Sequence, residues 1–231
     1  MNWSTWIGLL VTGTIAGLDL VSGPQILLAR PVVVGTLSGL LLGDAATGIL
    51  VGGILELFAL EVLPVGATRY PDHGPGVVGA VWLTVQAGTA SAGFGVLHAL
   101  LLAELGGVTL IALRRVNGRA LAAATPALDR GDPRAAAVLQ IGGAARDALR
   151  SLLLTLLGLG AARLALPLVL AADAANTVLA VVVTAAGMAG AAAGAFRTAG
   201  RSRRTIVLIA ALIVGWVAGG AVGIFPRTGQ W

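Results

Sequence analysis

The sequence predicts an all-α integral membrane protein, with multiple transmembrane helices and re-entrant helical hairpins among them. Three observations carry that reading. Hydrophobic residues make up 57% of the 231 residues, charged residues only 11%, and mean hydropathy is +0.94. Soluble domains carry roughly 25% charge, so this chain could not cover a water-exposed surface. The basic residues, all arginine, fall between apolar runs, where they mark cytoplasmic loops. Several apolar runs are also interrupted by glycine-rich polar stretches before they reach the ~20 residues that a spanning helix needs.

The first apolar run is Ile7–Leu18, followed by "DLVSGPQ", then Ile26–Ala29 and Arg30-Pro31. The opening "MNWSTWIGLL" has no basic region ahead of its apolar residues, so a cleaved signal peptide is not expected. Val32–Leu42 and Ala45–Leu60 follow. As helices they reach roughly 17 and 24 Å, short of a hydrocarbon core of about 30 Å. Between them "GDAATG" reads as a break in which Gly43 ends one helix and Asp44 caps the next. Two short helices joined in this way make a re-entrant hairpin; the alternative is one kinked span. Irregular backbone at membrane depth is tolerated only where protein encloses it or it lines a polar cavity.

Val77–Leu113 is interrupted by "QAGTASAGFG" (86–95), a second broken segment. Paired breaks of this kind point to a transporter binding site. Residues 114–150 carry Arg114, Arg115, Arg119, Arg130, Arg134, Arg146 and Arg150, with a turn at "LDRGDPR". This segment is expected to be cytoplasmic or to lie along the interface. Apolar runs over 151–172 and 174–196 are separated by "AADAAN", and the arginine cluster 197–204 precedes a last run over 205–225. With both clusters cytoplasmic, the two spans between them form a hairpin turning outside at Asp173. The whole is a single polytopic membrane domain over 1–231: broken helices and a binding site in 1–113, the arginine-rich segment in 114–150, and three spans in 151–231.

Net charge is +5 and there is no cysteine. The charge belongs to membrane topology and not to nucleic acid, so no nucleic-acid partner is expected, and disulfides and thiolate metal sites are excluded. His73 and His98 lack ligand-spaced partners, so no metal site is expected. Neither a phosphate loop nor a nucleophile elbow occurs, and no catalytic residue or cofactor is expected.

The polar residues left inside apolar sequence are the binding candidates. Gly35, Gly39 and Gly43 stand four apart, as do Gly48 and Gly52, a spacing that lets membrane helices approach closely. Glu56 is the next step of the second stripe and so points toward the bundle. An ionisable residue there is either a functional group or a structural partner of Arg30 or Arg69. Asp19 and Gln25 flank Pro24 in a broken segment, where both can hydrogen-bond hydroxyl groups. "ATRYPDHG" (67–74) gathers Thr68, Arg69, Tyr70, Asp72 and His73, either as a surface loop or as part of the site, with Thr68 and Asp72 the binding candidates.

The stretch "ARPVVVGTLSGLLLGDAATGILVGGILELFAL", followed by "VGATRYPDHG", resembles component IIC of the mannose-family sugar phosphotransferase system. The matching elements are Arg30-Pro31, Leu42-Gly43-Asp44, Gly48, Gly52-Gly53, Glu56-Leu57 and Pro71-Asp72; "QIGGAARDALRSLLLTLLGLG" and "TAAGMAGAAAGAF" look like the family's later segments. The resemblance implies a permease subunit in a bacterial plasma (inner) membrane. It would bind and translocate a hexose-type sugar beside a second membrane subunit, IID, in a larger oligomer within the lipid bilayer. A cytoplasmic IIB protein, charged through IIA, would supply the phosphoryl group from a phosphohistidine. Glu56 and Asp72 fall on the matching motifs and join Asp19, Gln25 and Thr68, read from the residues themselves, as the sugar-binding candidates. The Gln-to-Arg-Pro spacing in "QILLARP" is longer than the family's. Arg30, Pro31, Gly43, Asp44, Gly48 and Gly52 are the structural positions. The chain departs from the family pattern at Glu61, Val62, Pro64 and Arg69, which bears on sugar specificity. Two other classes of reading are a small-molecule transporter outside the phosphotransferase system and a diverged IIC-like chain kept for assembly or regulation.

Overall fold

The computed structural model describes residues 2–60 and 70–198, without the side chains of 173–177 and 195–198. The described residues form seven α-helices and one 3-10 turn: α1 Trp3–Val21, α2 Pro31–Leu42, α3 Ala45–Ala59, α4 His73–Ala87, the turn Thr89–Ser91, α5 Ala92–Asp129, α6 Pro133–Ala171 and α7 Asp173–Thr198. The final run 205–225 and most of the second arginine cluster lie outside the described residues.

The α2–α3 hairpin is built from purely local signals. Gly43 takes φ +80°, and the N–H groups of Gly43 and Asp44 bond back to Leu40 and Gly39. That is a left-handed stop which a side-chain-bearing residue adopts only under strain. Asp44 then caps α3: Oδ1 accepts from the Thr47 backbone N–H at 3.0 Å and Oδ2 from the Thr47 hydroxyl at 2.6 Å. The two glycine stripes face each other across the seam. A Cβ on Gly35 would strike Gly48 and Gly52, and one on Gly48 would strike Gly35 and Gly39. Backbone therefore lies on backbone, the approach that small residues allow in membranes.

Helix α4 occupies the centre. Every residue from His73 to Thr84 is buried, as expected of a helix that is apolar all round. Its glycines make room on three sides: Gly74 meets Ala16 of α1, Gly76 meets Ala99 of α5, and Gly79 meets Gly158 of α6. On the α1–α6 face, Gly13 and Gly17 receive Thr155 and Ser151. The outer surface is apolar, with Leu101, Leu164 and Leu168 each more than 70% exposed. Such a surface belongs in lipid. Among the described residues, three helical segments, Trp3–Val21, Thr89–Asp129 and Pro133–Ala171, are long and apolar enough to cross a membrane.

Two sequence expectations change here. The arginine-rich stretch is not a separate segment between spans. Helix α5 continues without a break to Asp129, the chain turns at Arg130–Asp132, and α6 starts at Pro133. At 38 and 39 residues these helices are roughly 57 and 58 Å long, so Arg115, Arg119, Arg130 and Arg134 ride exposed on their common extension beyond the apolar bundle, while the Arg150 side chain is buried within it. Arginine is a good helix former, and a drop in hydropathy does not end a helix. The chain breaks at Ala172, but α7 does not fold back along α6. It lies instead against α5 and α3, where Gly93 admits the backbone of Leu179 and Ala180, and Gly187 packs on Leu57 and Phe58.

Candidate functional site: a polar cavity at one end of the bundle

Four helix ends meet on the side of the bundle that carries the arginine extension. They are the last turn of α1, the first of α2, the last of α3 and the first of α4. Between them is a cavity of about 370 Å³, within the range of small-ligand sites. Asp19 and Leu20 line it from α1, Gln25, Leu27, Ala29 and Arg30 from the connecting loop, Pro31 from α2, Ala59 from α3, and Tyr70, Pro71 and His73 from the entry to α4.

The loop between α1 and α2 is held in shape by Asp19. That side chain is 3% exposed, and its two carboxylate oxygens accept from the backbone N–H groups of Ile26 at 2.8 Å and Ala29 at 3.1 Å. The bonds are needed, because Gln25 and Leu27 both sit at positive φ, +55° and +71°. Left-handed backbone costs a non-glycine residue roughly 1–2 kcal/mol. The Gln25 amide donates to the Leu20 carbonyl at 3.4 Å and faces the cavity.

Glu56 stands one step back. Its seam partners Gly48 and Gly52 pack on α2, and the carboxylate reaches the N-terminus of that helix. There Oε2 accepts from the Val32 N–H at 3.2 Å, and Oε1 pairs with the Arg30 guanidinium. Arg30 provides no side-chain cap and Pro31 has no N–H, so an acid from α3 caps α2. Of this pair, Arg30 lines the cavity and Glu56 does not.

Asp72 also lies behind the wall. Its backbone N–H donates to the Ala103 carbonyl at 2.9 Å, and its buried carboxylate pairs with Arg150 at 2.8 Å. Gly106 and Gly107 of α5 let the segment Tyr70–Asp72 lie flat on that helix. Arg114, at the base of the arginine extension, covers the Tyr70 ring at 5.0 Å. Thr68 lies outside the described residues.

The structure thus gathers Asp19, Gln25, Arg30 and Pro31 around one cavity and sets Glu56 and Asp72 behind its walls. Gly43 and Asp44 are at the far end of the hairpin, where the Thr47 hydroxyl lies 3.4 Å from that of Thr89. The two sequence breaks therefore meet at that tip. The sequence placed Tyr70 and His73 in the 67–74 gathering without choosing them as binding residues, and the structure puts both in the cavity lining. Sequence reasoning missed the buried pair Asp147–Arg150. The signal for that pair was present: two opposite charges three residues apart, running into Ser151 and an apolar helix.

The lining offers an amide, a guanidinium, a phenol and an imidazole beside the apolar Leu20, Leu27, Pro31, Ala59 and Pro71. Such a surface suits a small ligand with many hydroxyl groups. Residues 4–194 match the profile of a family described as the sorbose-specific IIC component of the phosphotransferase system. The chain belongs to that family. This IIC chain is 35% identical over 121 residues to the mannose-specific EIIC component of Escherichia coli K12, a match covering 52% of the chain and 45% of that relative. It is 40% identical over 90 residues to the fructose permease IIC component of Bacillus subtilis, covering 38% of the chain and 32% of the relative. The match therefore spans under half the length of these relatives. In fold, the IIC chain is similar along its full length to a chain of the mannose transporter ManYZ, determined with microcin E492, with a TM-score of 0.62 and 24% identity.

Proposed function

We propose that this chain is the membrane subunit that binds and translocates a hexose-type sugar in a mannose-type phosphotransferase system. The observation that carries the reading is the polar cavity walled by Asp19, Gln25, Arg30, Tyr70 and His73 in a bundle that is otherwise apolar outside. In this reading Gln25, Arg30 and Tyr70 hydrogen-bond sugar hydroxyls, Asp19 keeps the loop that carries Gln25 in place, and Glu56 acts through Arg30. The relatives' names, mannose, fructose and sorbose, bound the sugar class.

The α2–α3 hairpin is then re-entrant. Its helices of 12 and 15 residues reach roughly 18 and 22 Å, short of a ~30 Å core. The cavity lies at the end of the bundle that carries the arginine extension, which the positive-inside rule puts in the cytoplasm. That is the side from which a phosphorylated IIB, charged through IIA, delivers its phosphoryl group. A IID subunit completes the complex in the bacterial inner membrane.

The test is uptake by cells that express the chain with the IID, IIB and IIA proteins of its own system, given labelled mannose, fructose and sorbose in turn. One of these sugars should appear inside as its phosphate, and removal of IIB should abolish this. Accumulation of unmodified sugar without IIB would overturn the phosphotransferase reading.

A further inference from the structure

One side chain ties both cavity walls to the frame, and it touches the cavity nowhere. Arg150 of α6 is 8% exposed, and the side chains of Asp72 and Asp147 are fully buried. Its Nη2 lies 2.8 Å from Asp72 Oδ2 and its Nε donates to Asp147 Oδ1 at 2.9 Å, while Nη1 reaches the Thr109 hydroxyl of α5 at 3.3 Å. Asp147 in turn accepts from the Ser22 hydroxyl at 2.6 Å through its other oxygen. Ser22 opens the loop that bears Gln25 and Arg30, and Asp72 ends the segment that bears Tyr70 and Pro71.

From this geometry we propose that Arg150 is a positioning residue for the cavity: it sets the spacing of the two walls by holding Asp72 directly and Ser22 through Asp147. The inference rests on the sugar-binding reading for its consequence and on geometry alone for the clamp. A planar guanidinium suits the task, since its fork of donors reaches two carboxylates at fixed angles. Lysine, a point charge on a flexible stem, can satisfy one carboxylate at a time. A buried carboxylate left without its partner is unstable, so a variant that removes Arg150 together with both of its carboxylate partners, Asp72 and Asp147, is needed beside the single ones.

Two measurements on the complex isolated from membranes test the proposal. The first is hydrogen exchange without sugar. Arg150→Met combined with Asp72→Asn and Asp147→Asn should speed exchange at least tenfold in both 22–30 and 70–73, while the α2–α3 seam stays protected. Release of 70–73 alone would overturn the clamp, whatever the protein transports. The second is affinity for labelled mannose, fructose and sorbose, compared at matched melting temperature. The triple variant should bind the accepted sugar about tenfold more weakly even though its stability is restored. Recovery of affinity together with stability would reduce Arg150 to a charge neutraliser. Ser22→Ala, which leaves the buried charges intact, should weaken binding about threefold in the native chain and not at all in the Arg150→Met, Asp72→Asn, Asp147→Asn background. An undiminished effect in that background would show that Ser22 and Arg150 act separately.

Discussion

Glu56→Gln separates a carboxylate that caps a helix from one that touches the ligand. Glutamine keeps the shape and one acceptor oxygen, so the bond from the Val32 N–H survives; the negative charge is lost. The Arg30–Glu56 pair is partly solvated, with the side chains 38% and 17% exposed. Its contribution is therefore discounted to about 0.5 kcal/mol, and the charge at the α2 N-terminus adds about 0.5 kcal/mol. A total of about 1 kcal/mol lowers Tm by roughly 2–4 °C for a chain of this size. Glu56→Ala also removes the acceptor, a further ~1 kcal/mol, and should about double the shift. Sugar affinity should change by less than about threefold in Glu56→Gln, because Arg30 and not Glu56 lines the cavity. Both quantities are read on one detergent-solubilised preparation, Tm by intrinsic fluorescence and affinity by equilibrium dialysis with labelled sugar. An unchanged Tm with sugar binding weakened tenfold or more would refute the capping role and place the carboxylate on the sugar.

Three further outcomes are expected. Gly48→Val puts a branched side chain on the backbone of Gly35 and Gly39 and should cost more than about 3 kcal/mol, seen as loss of folded protein; Gly53→Ala, which meets nothing within 4 Å, should leave yield and Tm unchanged or slightly raised. Asp44→Ala should lose the α3 cap at about 1 kcal/mol, or roughly 2–4 °C in Tm, while Asp44→Asn, which keeps an acceptor, should lose much less. A cysteine at Gly131, in a chain that has none of its own, should resist a membrane-impermeant thiol reagent in intact cells and react once they are broken; labelling from outside would invert the proposed orientation.

What the residues settle alone is whatever depends on near neighbours. The apolar excess selects lipid as the solvent. The α2–α3 turn was legible down to Gly43 and Asp44, because a left-handed stop and an N-cap act over four or five residues. The glycine spacing marked a close-packed face for the same reason, and Glu56 followed from it by helical period. Tertiary structure decided what those faces meet. It set Glu56 on the first turn of α2 and made α4, an unremarkable apolar run in sequence, the buried centre. It joined Ser22 to Asp147 across 125 residues and Asp72 to Arg150. Such pairings carry no local signature: a buried ion pair is set by which backbones pack together, and the chain between its members records only that each charge is out of place. The length of α5 and α6 was hidden for a related reason. Hydropathy reports where lipid ends, whereas a helix persists while its own hydrogen bonds and a neighbour's face support it, and each of these helices supplies that face to the other beyond the apolar bundle.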